Sequence, residues 1–411
     1  MADTAHHQLA LLDATGDVEL ARWGTGARGL VDGPASIASF NEPQGLCRLP
    51  AAVAAEAGFD VVVADTVNHA LRGVRLADGH VTTLAGTGST WSPLDLSSLS
   101  SPWDVAWWDG AVWVAMAGLH QLWTLDPVTR RTQPVAGTRT EGLRDGPLDT
   151  AWFAQPSALA PDGDRLWLVD AETSALRWVA DGEVRTAVGR GLFDCGFVDG
   201  AAADARLQQP LGGGRPGGRS CRRRRHVQRS GASVRPHDGE LGTLATGLAE
   251  PSQVVVTGDH LLVLESAAHR LVAVPRDARD RATGRAAPAE RPPTPVPAGM
   301  VRLVIDFEPP PGQGLDERYG RATRVTVTAT PSALLAEGSG STSQLRREIR
   351  MDPAVGGGVL HVTASAASCD VTVADVAGAA CHLHQQDWGI PVEVVEGADD
   401  ELRLVLGGAT P

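Results

Sequence analysis

The feature that most constrains this chain is a pattern that recurs along most of its length. Each copy has an apolar strand, an acidic or substituted position, a short turn and a second strand. The full copies are "VVVADTVNHALRGV" from Val61, "VWVAMAGLHQLWTL" from Val112, "LWLVDAETSALRWV" from Leu166 and "LLVLESAAHRLVAV" from Leu261. The opening "ADTAHHQLALLD" is the same unit without its first strand. The last interval is about twice the others, which indicates one further unit before Leu261.

A second pattern connects some of these units. In three places an Asp-Gly pair is followed, eleven residues after its aspartate, by a proline: Asp32 and Pro43, Asp145 and Pro156, and Asp199 and Pro210. Asp-Gly favours a tight turn, and a proline is best tolerated where a strand begins. We therefore interpret these segments as connectors that lead into the next strand.

Short strands with a period of about 50 residues predict a β-propeller. The sequence predicts an all-β protein with a six-bladed propeller over residues 1–275, one blade of which is degraded. A charged, proline-rich linker follows at 276–297. From 298 to 411 several segments alternate apolar and polar residues, as in "TRVTVTAT" and "GGVLHVTASA", which predicts a C-terminal β-sandwich.

The segment "VVVADTVNHALRGVRLADGHVTTLAGTG", from Val61, resembles an NHL repeat, and Asn68 and His69 match part of the motif that names it. The "GLVDGP" connector and "ACHLHQQDWGIPVEV", from Ala380, resemble the NHL repeat-containing protein 2 family. That resemblance implies an NHL propeller with a β-rich C-terminal domain, preceded by a thioredoxin-like domain. Because this chain starts inside a repeat, we expect a truncated start, with the thioredoxin-like domain encoded upstream. No redox activity is carried over.

Residues 213–238 depart from the pattern, because they hold eight arginines in a chain that has no lysine. A blade strand is expected there. Arginine codons shifted by one base encode residues such as valine, alanine and aspartate, so we predict a frame-shifted stretch with the true frame resuming at Gly239. The alternative is a disordered basic arm that binds nucleic acid. The net charge of −13 argues against nucleic-acid binding by the chain as a whole.

Two sets of repeat-equivalent residues are candidates for a binding site at the propeller axis. They are the histidines His7, His69, His120 and His269 and the acidic residues Asp3, Asp65, Asp170 and Glu265. Imidazoles and carboxylates around an axis have the chemistry of metal ligands or general acids. The alternative is that each one packs and hydrogen-bonds within its own repeat, and this interpretation is favoured, so no metal, cofactor or catalytic residue is assigned.

The functional hypothesis is a non-catalytic binding or scaffold protein that receives a protein or small-molecule ligand at the propeller face. Two alternatives remain open: a metal-dependent lyase or hydrolase, and a subunit of a redox enzyme. No apolar run is long enough to cross a membrane, and the first residues do not resemble a secretion signal. The sequence therefore predicts a cytoplasmic protein without a membrane partner.

Overall fold

The computed structural model divides the chain into two compact units, Met1–Ala289 and Glu290–Pro411. The structure describes residues 1–91, 97–192, 196–208, 210, 212–214, 224–227, 232–235, 240–245, 247–257, 260–266, 268, 270–275, 293–309, 313–315, 321–370 and 381–406. His269 lies outside these residues. Of the arginine-rich stretch, only the backbone of three short strands is described.

The described residues of the first unit form six antiparallel sheets, which are the six predicted blades. Blade 1 comprises β1–β3, blade 2 β4–β7, blade 3 β8–β11, blade 4 β13–β16, blade 5 β18–β21 and blade 6 β22–β24. The strands of blades 1 to 3 are β1 (Ala2–Asp3), β2 (Gln8–Leu12), β3 (Glu19–Trp23), β4 (Pro43–Arg48), β5 (Val61–Asp65), β6 (Ala70–Arg75), β7 (His80–Ala85), β8 (Pro102–Trp108), β9 (Ala111–Met116), β10 (Gln121–Leu125) and β11 (Thr132–Ala136). A short helix, α1 (Ala51–Ala57), lies between β4 and β5.

Blades 4 and 5 each carry one extra two-residue strand from the preceding connector, β12 and β17. The strands of blades 4 to 6 are β12 (Gly146–Pro147), β13 (Pro156–Asp162), β14 (Arg165–Asp170), β15 (Ala175–Ala180), β16 (Glu183–Val188), β17 (Gly200–Ala201), β18 (Gly212–Gly214), β19 (Arg224–Val227), β20 (Ala232–Arg235), β21 (Glu240–Thr243), β22 (Pro251–Thr257), β23 (His260–Glu265) and β24 (Arg270–Pro275). The sixth unit indicated by the doubled interval is therefore blade 5.

Tight hairpins within the blades follow from Asp-Gly pairs. In blade 3, Asp109 and Gly110 have φ angles of 47° and 76°, and in blade 4, Asp181 and Gly182 have φ angles of 51° and 76°. Two consecutive left-handed residues match the right-handed twist of the flanking strands, and aspartate and glycine adopt this conformation at low cost. Local sequence thus sets where each of these strands reverses.

The hydrophobic core of the propeller lies between blades. Leu9 and Trp23 of blade 1 pack with Val63 and Val74 of blade 2, and corresponding clusters join blade 2 to blade 3, blade 3 to blade 4 and blade 4 to blade 5. Full burial of one such side chain contributes roughly 1.5–3 kcal/mol. Each of these blades is consequently stabilised by burial against its neighbours as well as by contacts within its own sheet.

The second unit has two sheets around one core. Its strands are β25 (Thr294–Val296), β26 (Gly299–Asp306), β27 (Gln313–Leu315), β28 (Thr323–Thr330), β29 (Leu335–Glu337), β30 (Gly340–Thr342), β31 (Arg346–Met351), β32 (Gly357–Asp370), β33 (Cys381–Val394) and β34 (Glu401–Val405). One sheet has the order β25-β33-β32-β28-β30, with β27 also on β32, and the other has the order β29-β31-β26-β34. Because side chains from both sheets share the core, the unit is the predicted β-sandwich.

Candidate binding site at the propeller axis

His69 and His120 lie at the turn between the second and third strands of their blades, and His7 lies at the equivalent turn of blade 1, between β1 and β2. His7, His69 and His120 have left-handed φ angles of 56°, 48° and 53°. Ser174, which replaces histidine in blade 4, has a φ of 48°. The repeated position is therefore first a turn position, which the spacing of the motif alone did not reveal.

Each of the three described candidate histidines also bonds to the next blade. Nδ1 of His7, His69 and His120 accepts a hydrogen bond from the backbone N–H of Glu42, Ser101 and Gln155 at 3.1, 3.0 and 3.2 Å, respectively. These three donors have positive φ angles and stand directly before the proline that begins the next blade. Burial lowers the pKa of His69, which keeps its ring neutral and Nδ1 free to accept. The histidines join consecutive blades at the point where each blade begins.

The acidic positions in blades 2 and 4 are parts of buried ion networks. Oδ2 of Asp65 accepts from Arg72 at 2.8 Å, and the same guanidinium donates to Asp32 at 2.9 Å. In blade 4, Arg177 donates to Asp170 at 3.2 Å and to Asp145 at 3.1 Å. Burial raises the pKa of Asp65 and of Asp170, an effect that the neighbouring guanidinium opposes.

The connector aspartates do more than form a turn. Asp32 accepts hydrogen bonds from both the N–H and the hydroxyl of Thr83. Asp145 makes the same pair of bonds with Thr186, and Asp199 with Thr243. Sequence analysis missed these threonines, although each occurs in the outer strand of a blade that follows an Asp-Gly connector. The aspartate thus ties each connector to the outer strand of its blade.

The other two acidic candidates have different surroundings. Asp3 pairs with Arg22 and His6, each at 2.7 Å. Glu265 accepts from the N–H of Ala249 at 2.7 Å and pairs with Arg270. Within the part of the chain that the structure describes, no three His, Cys, Asp or Glu side chains come together as metal ligands would. The described candidates therefore lie in separate blades and do not come together as one metal site.

The axis itself contains a cavity of about 760 Å³. Its described walls come from the innermost strands β4, β8, β13 and β22, from β23 and β24 of blade 6, and from Met1, Thr4 and the β2 segment of blade 1. Several apolar side chains are exposed there: Leu11, Leu46 and Val255 are 39%, 37% and 59% exposed. Most of the described wall is apolar, and none of the described candidate histidines or acidic residues lines it.

One ionisable group in the cavity wall was not predicted. Asp104, on β8, accepts hydrogen bonds from the N–H groups of Val105 at 2.9 Å and Leu159 at 2.7 Å. Burial nevertheless raises its pKa to about 7. Burial, with a further effect of the Asp104 charge, raises the pKa of the nearby Cys47 thiol to about 12. Gly45 makes room for the carboxylate, since a Cβ there would lie 2.0 Å from Oδ1 of Asp104.

This architecture defines a six-bladed β-propeller, and comparison with known proteins shows what it is related to. NHL repeat-containing protein 2 from Bos taurus is 32% identical over 249 residues, covering 52% of this chain and 33% of the relative. The protein from Gallus gallus is 34% identical over the same length. SUPPRESSOR OF QUENCHING 1, chloroplastic, from Arabidopsis thaliana is 36% identical over 207 residues, covering 46% of this chain and 19% of the relative. The chain is thus related to the NHL-repeat proteins, as predicted.

The chain spans about a third of the length of the NHL repeat-containing protein 2 relatives. No family model matches it. Among solved structures, it is similar to a chain of the nidogen/laminin complex, with a TM-score of 0.44, 15% identity and coverage of 66% of this chain and 86% of that one. It is also similar to the RRP9 WD40 repeats, with a TM-score of 0.40, 9% identity and coverage of 68% and 73%. No helix among the described residues is long and apolar enough to cross a bilayer.

Proposed function

We propose that the chain is a non-catalytic scaffold that binds a protein partner at the axial cavity of its propeller. The observation that carries this proposal is the exposure of Leu11, Leu46 and Val255 in a cavity of about 760 Å³. Apolar side chains that remain exposed inside a concave surface are typical of interaction sites.

The bonding of the repeat positions supports a scaffold rather than an enzyme. Arg72 and Arg177 each bridge two carboxylates. His7, His69 and His120 bind the backbone of the next blade. Polar groups with these partners hold the ring rigid. Partner recognition then depends on the apolar cavity wall.

Site-specific photocrosslinking tests the proposal. A photoreactive phenylalanine analogue replaces Leu46, which lines the cavity, or Val128, which is 41% exposed between β10 and β11, away from the axis. In a lysate of the source cells, we expect a discrete crosslinked protein with the probe at Leu46 and none with the probe at Val128. Equal labelling at both positions, or none at either, would refute binding at the axis.

Several finer statements belong to the same proposal. We place the protein in the cytoplasm, with domain limits of 1–275, 276–297 and 298–411 and a small molecule as the alternative ligand. We also propose that a thioredoxin-like domain is encoded upstream and that residues 213–238 are frame-shifted.

Sequencing the gene across this region tests the frame shift in detail. Asp65 and Arg72 are seven residues apart, as are Asp170 and Arg177, and both pairs follow an Asp-Gly connector. Blade 5 follows such a connector too, and Asp199 bonds to Thr243 in it. The restored frame should therefore encode an aspartate followed seven residues later by an arginine. An unaltered reading frame in independent clones would contradict this expectation.

A further inference from the structure

Two of the five cysteines lie directly opposite each other on neighbouring strands of the second unit. β32 and β33 are antiparallel, and their continuous register, which starts at Gly357, pairs Cys369 with Cys381. Directly opposite residues of antiparallel strands have Cα atoms about 4.5–5.5 Å apart, and a disulfide needs a Cα separation of about 4.4–6.8 Å. The backbone therefore holds these two cysteines at a separation that a disulfide can span.

The register also gives the face of the sheet to which the two cysteines belong. On β32, Ala364 and Ala366 are part of the core between the sheets, whereas Ser365, which alternates with them, is half-buried. Successive residues of a strand belong to opposite faces of its sheet. Cys369, and Cys381 opposite it, are therefore placed on the face of Ser365, which a small-molecule oxidant approaches without entering the core.

We infer that Cys369 and Cys381 form a reversible disulfide, which makes this end of the β32–β33 pair a redox-sensitive modification site. On its other side Cys369 is in register with Gly314 of β27, so Cys381 is the neighbour that can supply a second thiol. The inference is independent of the binding proposed at the propeller axis. It agrees with the proposed cytoplasmic location, because cytosolic disulfides are usually transient and mark catalytic or redox-sensing sites.

The oxidant is a low-molecular-weight disulfide such as oxidised glutathione. The thiolate of one cysteine attacks a sulfur atom of oxidised glutathione, whose S–S bond breaks and releases one glutathione thiolate. The thiolate of the other cysteine then attacks the mixed disulfide, so that the protein S–S bond forms and the second glutathione leaves. The two cysteines lose two electrons and two protons, and the two released glutathione molecules gain them. Excess reduced glutathione reverses both steps.

The bond would control how often this pair of strands opens. β32 and β33 have 14 residues each, and β32 also pairs with β28 and β27. A disulfide at the end of the pair joins the two strands covalently and restricts the conformations of the opened chain. Oxidation should therefore make local opening of this strand pair rarer, and reduction should restore it.

Peptide mapping of the full chain tests for the bond. An endoproteinase that cleaves before aspartate cuts at Asp370 and Asp375, between the two cysteines. After incubation with oxidised glutathione and blocking of free thiols, the fragments that carry Cys369 and Cys381 should stay joined and should separate on reduction. Unjoined fragments, or a link from either cysteine to a different one, would refute the inference. So would a link that survives excess reduced glutathione, since the bond would then not be reversible.

Matched variants and hydrogen exchange test the site and its effect. Cys369→Ser should abolish the link and leave Cys381 as a mixed disulfide with glutathione. Cys47→Ser should keep the link, because burial raises the pKa of the Cys47 thiol to about 12 and makes its thiolate scarce. In the parent chain, oxidation should slow amide exchange at the joined ends of β32 and β33 about 10-fold or more, with no change between β26 and β31. Equal exchange in the two redox states, or the same slowing in Cys369→Ser, would overturn the inference.

Discussion

Replacing Arg72 by methionine tests whether the buried ion network holds the propeller together. Arg72 is fully buried, and its guanidinium donates to Asp65, Asp32 and the carbonyl oxygens of Ser39 and Val31. Methionine keeps much of the side-chain volume but leaves the buried carboxylate of Asp65 without its cation. Removing one partner of a buried ion pair costs about 3–5 kcal/mol, because the remaining charge stays desolvated.

The measurement is the free energy of unfolding in urea, followed by tryptophan fluorescence. Ten of the eleven tryptophans precede residue 290, so the signal reports the propeller. Arg75→Met is the matched control, because Arg75 pairs with Asp78 at 2.6 Å on the surface, and such pairs contribute about 0–1 kcal/mol. Adding Asp65→Asn to Arg72→Met should recover part of the loss. If Arg72→Met costs no more than Arg75→Met, the network is not a stabilising element.

Three further predictions concern the cavity wall and the connectors. Gly45→Ala should destabilise the propeller by about 2 kcal/mol or more, since its methyl group would overlap Asp104. In urea unfolding, Gly45→Ala should cost less in an Asp104→Ala background, and additive losses of stability for the two substitutions would contradict the overlap. Because folding raises the pKa of Asp104 from 3.8 to about 7, the folded state binds more protons than the unfolded state between these pH values. The free energy of unfolding should therefore fall on the order of 2–4 kcal/mol from pH 4 to 7. Asp104→Asn should flatten this pH dependence, and an unchanged dependence would refute the raised pKa of Asp104. Thr186→Val should cost about 1 kcal/mol through loss of the hydroxyl bond to Asp145, whereas Thr186→Ser should restore the bond and most of the stability in the same assay.

The repeat was sufficient to predict the six blades because strand, turn and spacing are local properties of the sequence. The doubled interval placed blade 5 correctly even though residues 213–238 do not match the pattern. The helix α1 was not predicted, since it lies within an ordinary gap between two strands. The repeat indicates where blades occur but carries little information about what is inserted between their strands.

The contacts of the site residues were harder to predict, because they join distant parts of the chain. Asp32 and Thr83 are 51 residues apart, and nothing local to either one indicates the other. A comparison of blades would have found them, since threonine stands in the outer strand wherever an Asp-Gly connector precedes. Asp104 was missed because it belongs to no repeated pattern. At the equivalent position, the innermost strands of other blades carry Gly45, Ala158 or Gln253. Its signal was a single acidic residue in the apolar run "PWDVAWW".

The histidine bonds also imply an order in which the first four blades assemble. His7 binds the residue that opens blade 2, His69 the residue that opens blade 3, and His120 the residue that opens blade 4. During synthesis a chain emerges from its N-terminus, so blades 2, 3 and 4 each meet an acceptor that has already been made. The first four blades can therefore assemble in chain order behind the ribosome, with blades 2, 3 and 4 each oriented by the blade before it.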